Sequence, residues 1–590
     1  MFKKKFKYFF IMFLGILAFC FGCNKKPKPE EIQIAFDSFI HQLFVDAVQT
    51  DTLSLNYSLA RPEAYGITPR ETTLGEYSIA VMKNGLFKTE NYLDRLQSFD
   101  YELLNDEQQL TYDILQGYLE QDIAFGNFLY YSEVLGPTTG IQAQLPILLA
   151  EYNFHDKSDI DQYIELLSCV DEYFKDIAQF EMEKAERGLF MSNAVADRII
   201  EQCEAFIESP EDNFLIEYFN EKIENYKGLT NTEIALYKAA NKKAVLEEVI
   251  PAYETLIAAL LDLKGSGINN AGLYYYPEGQ AYYELLAKHK TGSNRSMEGM
   301  IKLLENAIND NIAKITTISL TDSEIIEKYL NFTSFPLTDP EEILMDLKDD
   351  IAKDFPEAIP VNCEIKYVHE SLSEYLSPAM YLVPPLDNYT DNNIYINGKD
   401  ADTLSTIYTT VAHEGYPGHL YQCVYFRNQN PAPIRVLMDF AGYDEGWATY
   451  VEMYSYHLAG IDDNLASFLE ANNIIVLCMY ARADIGIHYE GWKRDETVNY
   501  ILNFINDEAV AELIYNTLLE EPAIYLPYAI GFLEFKELQV KAQVKLGKDF
   551  NAKEFHQFLL DIGPAQFNII DKYLEQWIND RSSVVINYID

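Results

Sequence analysis

Residues 413–422 read HEGYPGHLYQ. A His followed by a Glu opens the helical motif His-Glu-x-x-His, whose two His lie four apart on one face and share a metal ion. Here the residue four along is Pro417, and the next His is His419, six along. On a regular helix six residues turn through about 600°, so the two rings would point to nearly opposite sides. Pro417 has no N–H and cannot bond back to the carbonyl of His413. Gly418 tolerates backbone conformations that other residues avoid. A two-residue bulge at 416–418 would let the i+6 spacing act as i+4. The spacing therefore predicts a helix over 405–425, interrupted at Pro417–Gly418.

A hydrolytic zinc site takes three protein ligands and keeps one position open. With His413 and His419 as two of them, Glu445 in YDEGWATYVE (443–452) is the expected third. The intervening segment is long enough for a connection and a return helix. Glu452 lies two turns further along the same helical face and is expected to support a ligand rather than bind the ion. Glu414 would be the general base that takes a proton from water activated at the ion. Gln422, one turn past His419, reads as a support behind the ligands.

The elements that must hold these residues are helical. In SDIDQYIELLSCVDEYFKDIAQF, apolar residues from Ile160 to Ile177 recur at three and four, with Ser158 and Asp159 as cap candidates. Similar patterns fill most of 32–265 and 440–580. Strand signals are confined to CEIKYV (363–368), AMYLVP (379–384) and NIYING (393–398), one small sheet just upstream of the His-Glu segment. The expected fold is mainly α: a large helical body around a cleft, with a small β-sheet next to a zincin-like metal site. A break near GSGINNAG (265–272) is expected either to divide an N-terminal helical half (32–265) from a catalytic half (266–590) or to join two halves of one helical body around the cleft.

The formal charge of −47, from 45 basic and 92 acidic residues, argues against nucleic-acid binding. The N-terminus reads as targeting rather than fold. MFKKKFK is a basic n-region and YFFIMFLGILAFCFG an apolar h-region, so 1–22 is expected to be a signal peptide. The succession FGC resembles a lipobox. Cys23 would then be lipidated, 23–31 would be a polar tether, and the protein would be exported and held by its lipid at the outer face of a bacterial membrane. The remaining five cysteines form no C-x-x-C pair and no disulfide framework.

The compound motif His413-Glu414-x-x-Pro417-Gly418-His419-x-x-Gln422 resembles that of the bacterial domain-of-unknown-function 885 family. SPAMYLVPP (377–385), YDEGWATYVE, DIGIHYEGW (484–492) and the stretch 528–556 carry the same likeness, which extends over nearly all of the chain. The family in turn is similar to helical gluzincin peptidases, which implies Zn2+ and a peptide substrate. Within these motifs His488 and Tyr528 carry donors that could serve an oxyanion, though a core His and a buried aromatic are the plainer alternatives. Arg482 could bind a substrate carboxylate or pair with Asp484. Ala379, Met380 and Tyr381 could form an edge strand for an extended peptide, or a purely structural one. The leading expectation is a cell-surface zinc metallopeptidase. The alternative is a non-catalytic peptide- or partner-binding lipoprotein on a peptidase-like fold.

Overall fold

The computed structural model describes residues 28–68, 71–368 and 377–587. The signal, lipobox and most of the tether lie outside them. Helices dominate, and many start on a side-chain cap. Asn105 and Gln108 form a reciprocal capping box, as do Thr230 and Glu233. The helix expected near 158 starts at Lys157 on an Asp156 cap. It ends at Leu167, and a second helix runs from Val170 to Glu186, so the single expected helix is two. Among the described residues no helix is long and apolar enough to cross a membrane.

The sheet has three strands, β1 (Asn362–Tyr367), β2 (Ala379–Leu382) and β3 (Asp391–Ile396). Their order is β1-β3-β2, with β1 parallel and β2 antiparallel to the central β3. Register pairs Tyr381 with Ile394 and Ala379 with Ile396. β3 is the most buried, with Ile394 and Ile396 fully covered. β2 is an edge strand, and the helix Tyr408–Glu414 packs beside it.

Two large apolar cores organise the helices. One contains residues from Leu135 to Leu260 together with Leu74. The other takes Phe36–Leu119 together with residues from Leu273 to Ile578. The first of these cores ends at Leu260. Phe36, Phe39, Phe44 and Leu115 join the core that surrounds the His-Glu helix.

Two helices form the frame of the site. Ala441–Ser455 crosses Leu526–Leu546 at a seam of glycines. A Cβ on Gly446 would stand 2.5 Å from the carbonyl carbon of Gly531, and one on Gly531 would stand 2.1 Å from the carbonyl oxygen of Gly442. Only glycine lets the two backbones approach this closely.

Candidate metal centre

The His-Glu helix ends at Glu414, and a new helix starts at His419. Between them, the N–H of Tyr421 bonds to the carbonyl of Gly415 at 3.2 Å. That link spans six residues where a regular helix spans four, so two residues are inserted. Gly418 sits against the carbonyl of His413, and a Cβ there would lie 1.8 Å from that oxygen. Trp447, one of three Trp in the chain, is fully buried and donates its Nε1–H to the carbonyl of Pro417 at 2.9 Å. The bulge is thus clamped from outside by the return helix.

The bulge turns both imidazoles to one point. The His413 and His419 ring centroids are 4.9 Å apart. Nε2 of His413 lies 3.4 Å from Oε2 of Glu445, and Nε2 of His419 lies 3.5 Å from the same oxygen. Side-chain exposures of 12, 18 and 27% for His413, His419 and Glu445 leave the cluster reachable from one side.

Several observations bear on whether these residues suit a cation. Their candidate ligand atoms all lie within 4.8 Å of one another. Oε2 of Glu445 is buried and has no hydrogen-bond partner, although it faces two ring nitrogens. Two nitrogens and one carboxylate oxygen are a donor set that zinc takes. Nδ1 of His413 meets Oε2 of Glu452 at 3.0 Å, the carboxylate–histidine pairing that fixes the tautomer of a metal-binding imidazole. Burial opposes charge on both rings, yet Glu445 and Glu452 hold His413 well above its usual range, and Glu445 raises His419. Burial likewise opposes ionisation of Glu445, and the two rings override it and hold its carboxyl well below the usual range. The site carries a field that favours positive charge, and the residues fit a divalent cation.

Glu414 is buried beside the cluster, and its Oε2 accepts the backbone N–H of Tyr381 at 2.7 Å. The base candidate is therefore pinned to β2, the strand that holds Ala379, Met380 and Tyr381. Tyr528 joins the group, its ring nearly parallel to that of His413 at 6.3 Å. Burial first, then the Glu445 and Glu414 carboxylates, hold its phenol well above the usual range, so it remains a donor. Gln422 donates to Oδ1 of Asp444 at 2.7 Å, next to Glu445.

Two expected residues are not brought to this group. His488 is buried against Tyr283, its Nδ1 accepting from the N–H of Leu273 and its Nε2 donating to the carbonyl of Leu518. Both nitrogens are taken by backbone, so no ring donor is left for an oxyanion. Burial pushes this ring down to about 4, so it stays neutral. Arg482 neither pairs with Asp484 nor stands free for a substrate. It binds Glu305 at 3.1 Å and Glu490 at 2.8 Å and lies over the ring of Trp492. Asp484 instead accepts from Tyr283 and from the N–H of Ala523. The expectations for these two residues missed long-range partners that no local pattern marks. Trp447 was also missed, although a buried Trp N–H needs an acceptor and the nearby Pro-Gly turn offers one.

The fold and the cluster define a mainly α protein with a His-His-Glu group beside a three-stranded sheet. The chain belongs to the DUF885 family, bacterial proteins of unknown function, whose sequence model matches residues 62–573. The fold is similar to the crystal structure of a candidate lipoprotein from Colwellia psychrerythraea, with a TM-score of 0.82 at 19% identity, covering 93% of this chain and 99% of that one. It is also similar to a candidate lipoprotein of unknown function from Shewanella oneidensis, with a TM-score of 0.63 at 16% identity, covering 91% and 98%. No functionally curated protein matches the chain.

Proposed function

We propose that the protein is a zinc-dependent metallopeptidase. The observation that carries the reading is the convergence of two Nε2 atoms on the buried, unpartnered Oε2 of Glu445, with the Glu414 carboxylate fixed alongside. His413, His419 and Glu445 would hold the ion. When bound, such an ion polarises a carbonyl and makes water more acidic at neutral pH. Glu452 holds the proton on Nδ1 of His413, which leaves the Nε2 lone pair facing inward. Glu414 accepts a proton from the attacking water and returns it to the leaving amine. Tyr528 donates to the oxygen that gains negative charge. β2 anchors the base, its Tyr381 N–H being held by Glu414 and its Ala379 carbonyl by the Ser377 hydroxyl, so an extended peptide would pair with the strand beyond these two groups.

The test is metal content and peptide turnover measured side by side on wild type and Glu414→Gln. The variant keeps the ligands and removes the base. It is expected to hold about one zinc per chain and to lose at least about 10²-fold in hydrolysis. A fully active Glu414→Gln would remove Glu414 from the mechanism. A zinc-loaded wild type that cleaves nothing in a mixed peptide library would favour the binding-protein alternative.

We further propose that the chain is an exported lipoprotein anchored through Cys23, on the FGC succession and on the descriptions of its two structural neighbours. Cys23→Ala should leave the signal uncleaved or move the protein to the soluble fraction. A variant still cleaved and still membrane-bound would defeat the anchor.

A further inference from the structure

A cavity of about 420 Å³ opens directly beside the metal cluster, with His419 and Glu445 in its wall. Two arginines, Arg427 and Arg435, line it as well. Both are buried, at 8 and 3% exposure. Arg427 donates to the carbonyls of Pro384 at 2.6 Å and Pro385 at 3.3 Å. Arg435 donates to those of Ile562 at 2.7 Å and Pro564 at 3.3 Å, and it packs over the ring of Phe426. These are neutral acceptors. Among the described residues neither guanidinium has a carboxylate partner, and the buried Nε of Arg435 has no partner of any kind.

That is uncommon in this chain. Acidic residues outnumber basic ones 92 to 45, so an acid is rarely far from a base. Arg482 is paired with Glu305 and Glu490, and Lys184 with Glu133 and Glu181, whereas Lys222 resembles the two arginines in donating to the carbonyls of Ala150 and Tyr152. A buried charge without a counter-charge is destabilising unless something else completes it. Burial pushes Arg435 down only to about 10, so it remains charged at neutral pH. The acids in the wall are engaged elsewhere. Asp444 is tied to Gln422 on the metal side, and Asp439 is exposed to solvent. A guanidinium has five donors in a planar fork that matches a carboxylate in two-point contact.

We propose that Arg427 and Arg435 form a carboxylate-recognition pocket that positions an anionic peptide substrate beside the metal cluster. This rests on the peptidase reading above. A volume of this size is at the small end of ligand pockets, which run from about 300 to 1,000 Å³. It suits one or two residues rather than a long chain. The carboxylate is then either the free C-terminus of the substrate or the side chain of a Glu or Asp close to the scissile bond.

The experiment has a binding arm and a cleavage arm, both on the purified full-length protein. In the binding arm, succinate and its diamide are titrated after chelation of metal, with thermal shift and calorimetry as readouts. Succinate should bind at least about ten-fold more tightly, as expected for hydrogen bonds to charged groups. In the cleavage arm, peptides ending in a free acid are compared with their amides, and amides bearing an internal Glu with those bearing Gln. A ten-fold preference in kcat/KM for the free acid identifies the chain end as the source, and one for Glu over Gln identifies the side chain. Arg435→Lys keeps a buried cation but not the fork, so it should bring the acid preference down toward one. Equal binding of succinate and its diamide, or equal cleavage of every acid and its neutral partner, would overturn the pocket. If succinate is preferred but no peptide is cleaved, the pocket stands and the peptidase reading fails.

Discussion

Gly418→Ala tests the bulge on which the whole site depends. The added Cβ would stand 1.8 Å from the carbonyl oxygen of His413 and 2.4 Å from that of Ala412. Carbon and carbonyl oxygen approach no closer than about 3.3 Å, so the backbone at 418 must retreat by about 1.5 Å. Both opposing atoms are main chain, and Trp447 holds Pro417 from the other side, so no flexible side chain can yield instead. His419 follows directly and moves with the backbone. Metal–ligand distances tolerate only about 0.2 Å, so the variant should lose at least about 100-fold in zinc affinity while remaining folded. The assay is zinc competition against a chromophoric chelator, with circular dichroism to check the fold. Gly85→Ala is the control. Gly85 lies within the helix Ile79–Gln97 with open space around its Cβ position, and the substitution should stabilise by about 0.5–1 kcal/mol without touching zinc. A Gly418→Ala protein that binds zinc as tightly as wild type would refute the reasoning.

Glu452→Ala should weaken zinc binding by about 10–100-fold, because it removes the acceptor that fixes the His413 tautomer; an unchanged affinity would show the 3.0 Å contact to be incidental. A pH-dependent loss of stability should trace to His488. Its folded pKa of about 4 lies below the unfolded value of about 6.5, so the unfolded state binds more protons between them. This contribution is fully present above about pH 6.5 and is lost as pH falls toward 4, by about 2–3 kcal/mol at pH 4.5. His488→Asn should be less stable at pH 7 but should lose that part of the slope, read as urea midpoints across pH; identical slopes would exclude His488 as the source.

The His413–His419–Glu445 cluster was legible because its constraints are local. Pro417 and Gly418 announce an interrupted helix, and the seven-residue step from Glu445 to Glu452 is two helical turns. The three strands were legible from Asn, Pro and Gly around short β-branched or aromatic runs. What escaped depends on distant partners. Glu305 meets Arg482 across 177 residues, and Leu273 meets His488 across 215. Nothing near Arg427 or Arg435 distinguishes them from surface cations, since only the surrounding carbonyls and the lack of a nearby acid do so. The packing of Phe36–Leu119 against the C-terminal core is likewise invisible to periodicity, which reports that a face is apolar and not what covers it.

The glycine seam has a consequence for how the centre responds to ions of different size. Glu445 sits between Gly442 and Gly446, and those glycines lie backbone to backbone against Gly531, less than a turn beyond Tyr528. The Glu445 carboxylate and the Tyr528 phenol are therefore carried on one wall whose spacing is set at the glycines by backbone contact. Of the two imidazoles on the interrupted helix, that of His413 is held by Glu452 on this same wall. A larger ion must then be accommodated mainly at His419. Metal substitution should shift the ring of His419 most and leave the Glu445–Tyr528 pair where it is.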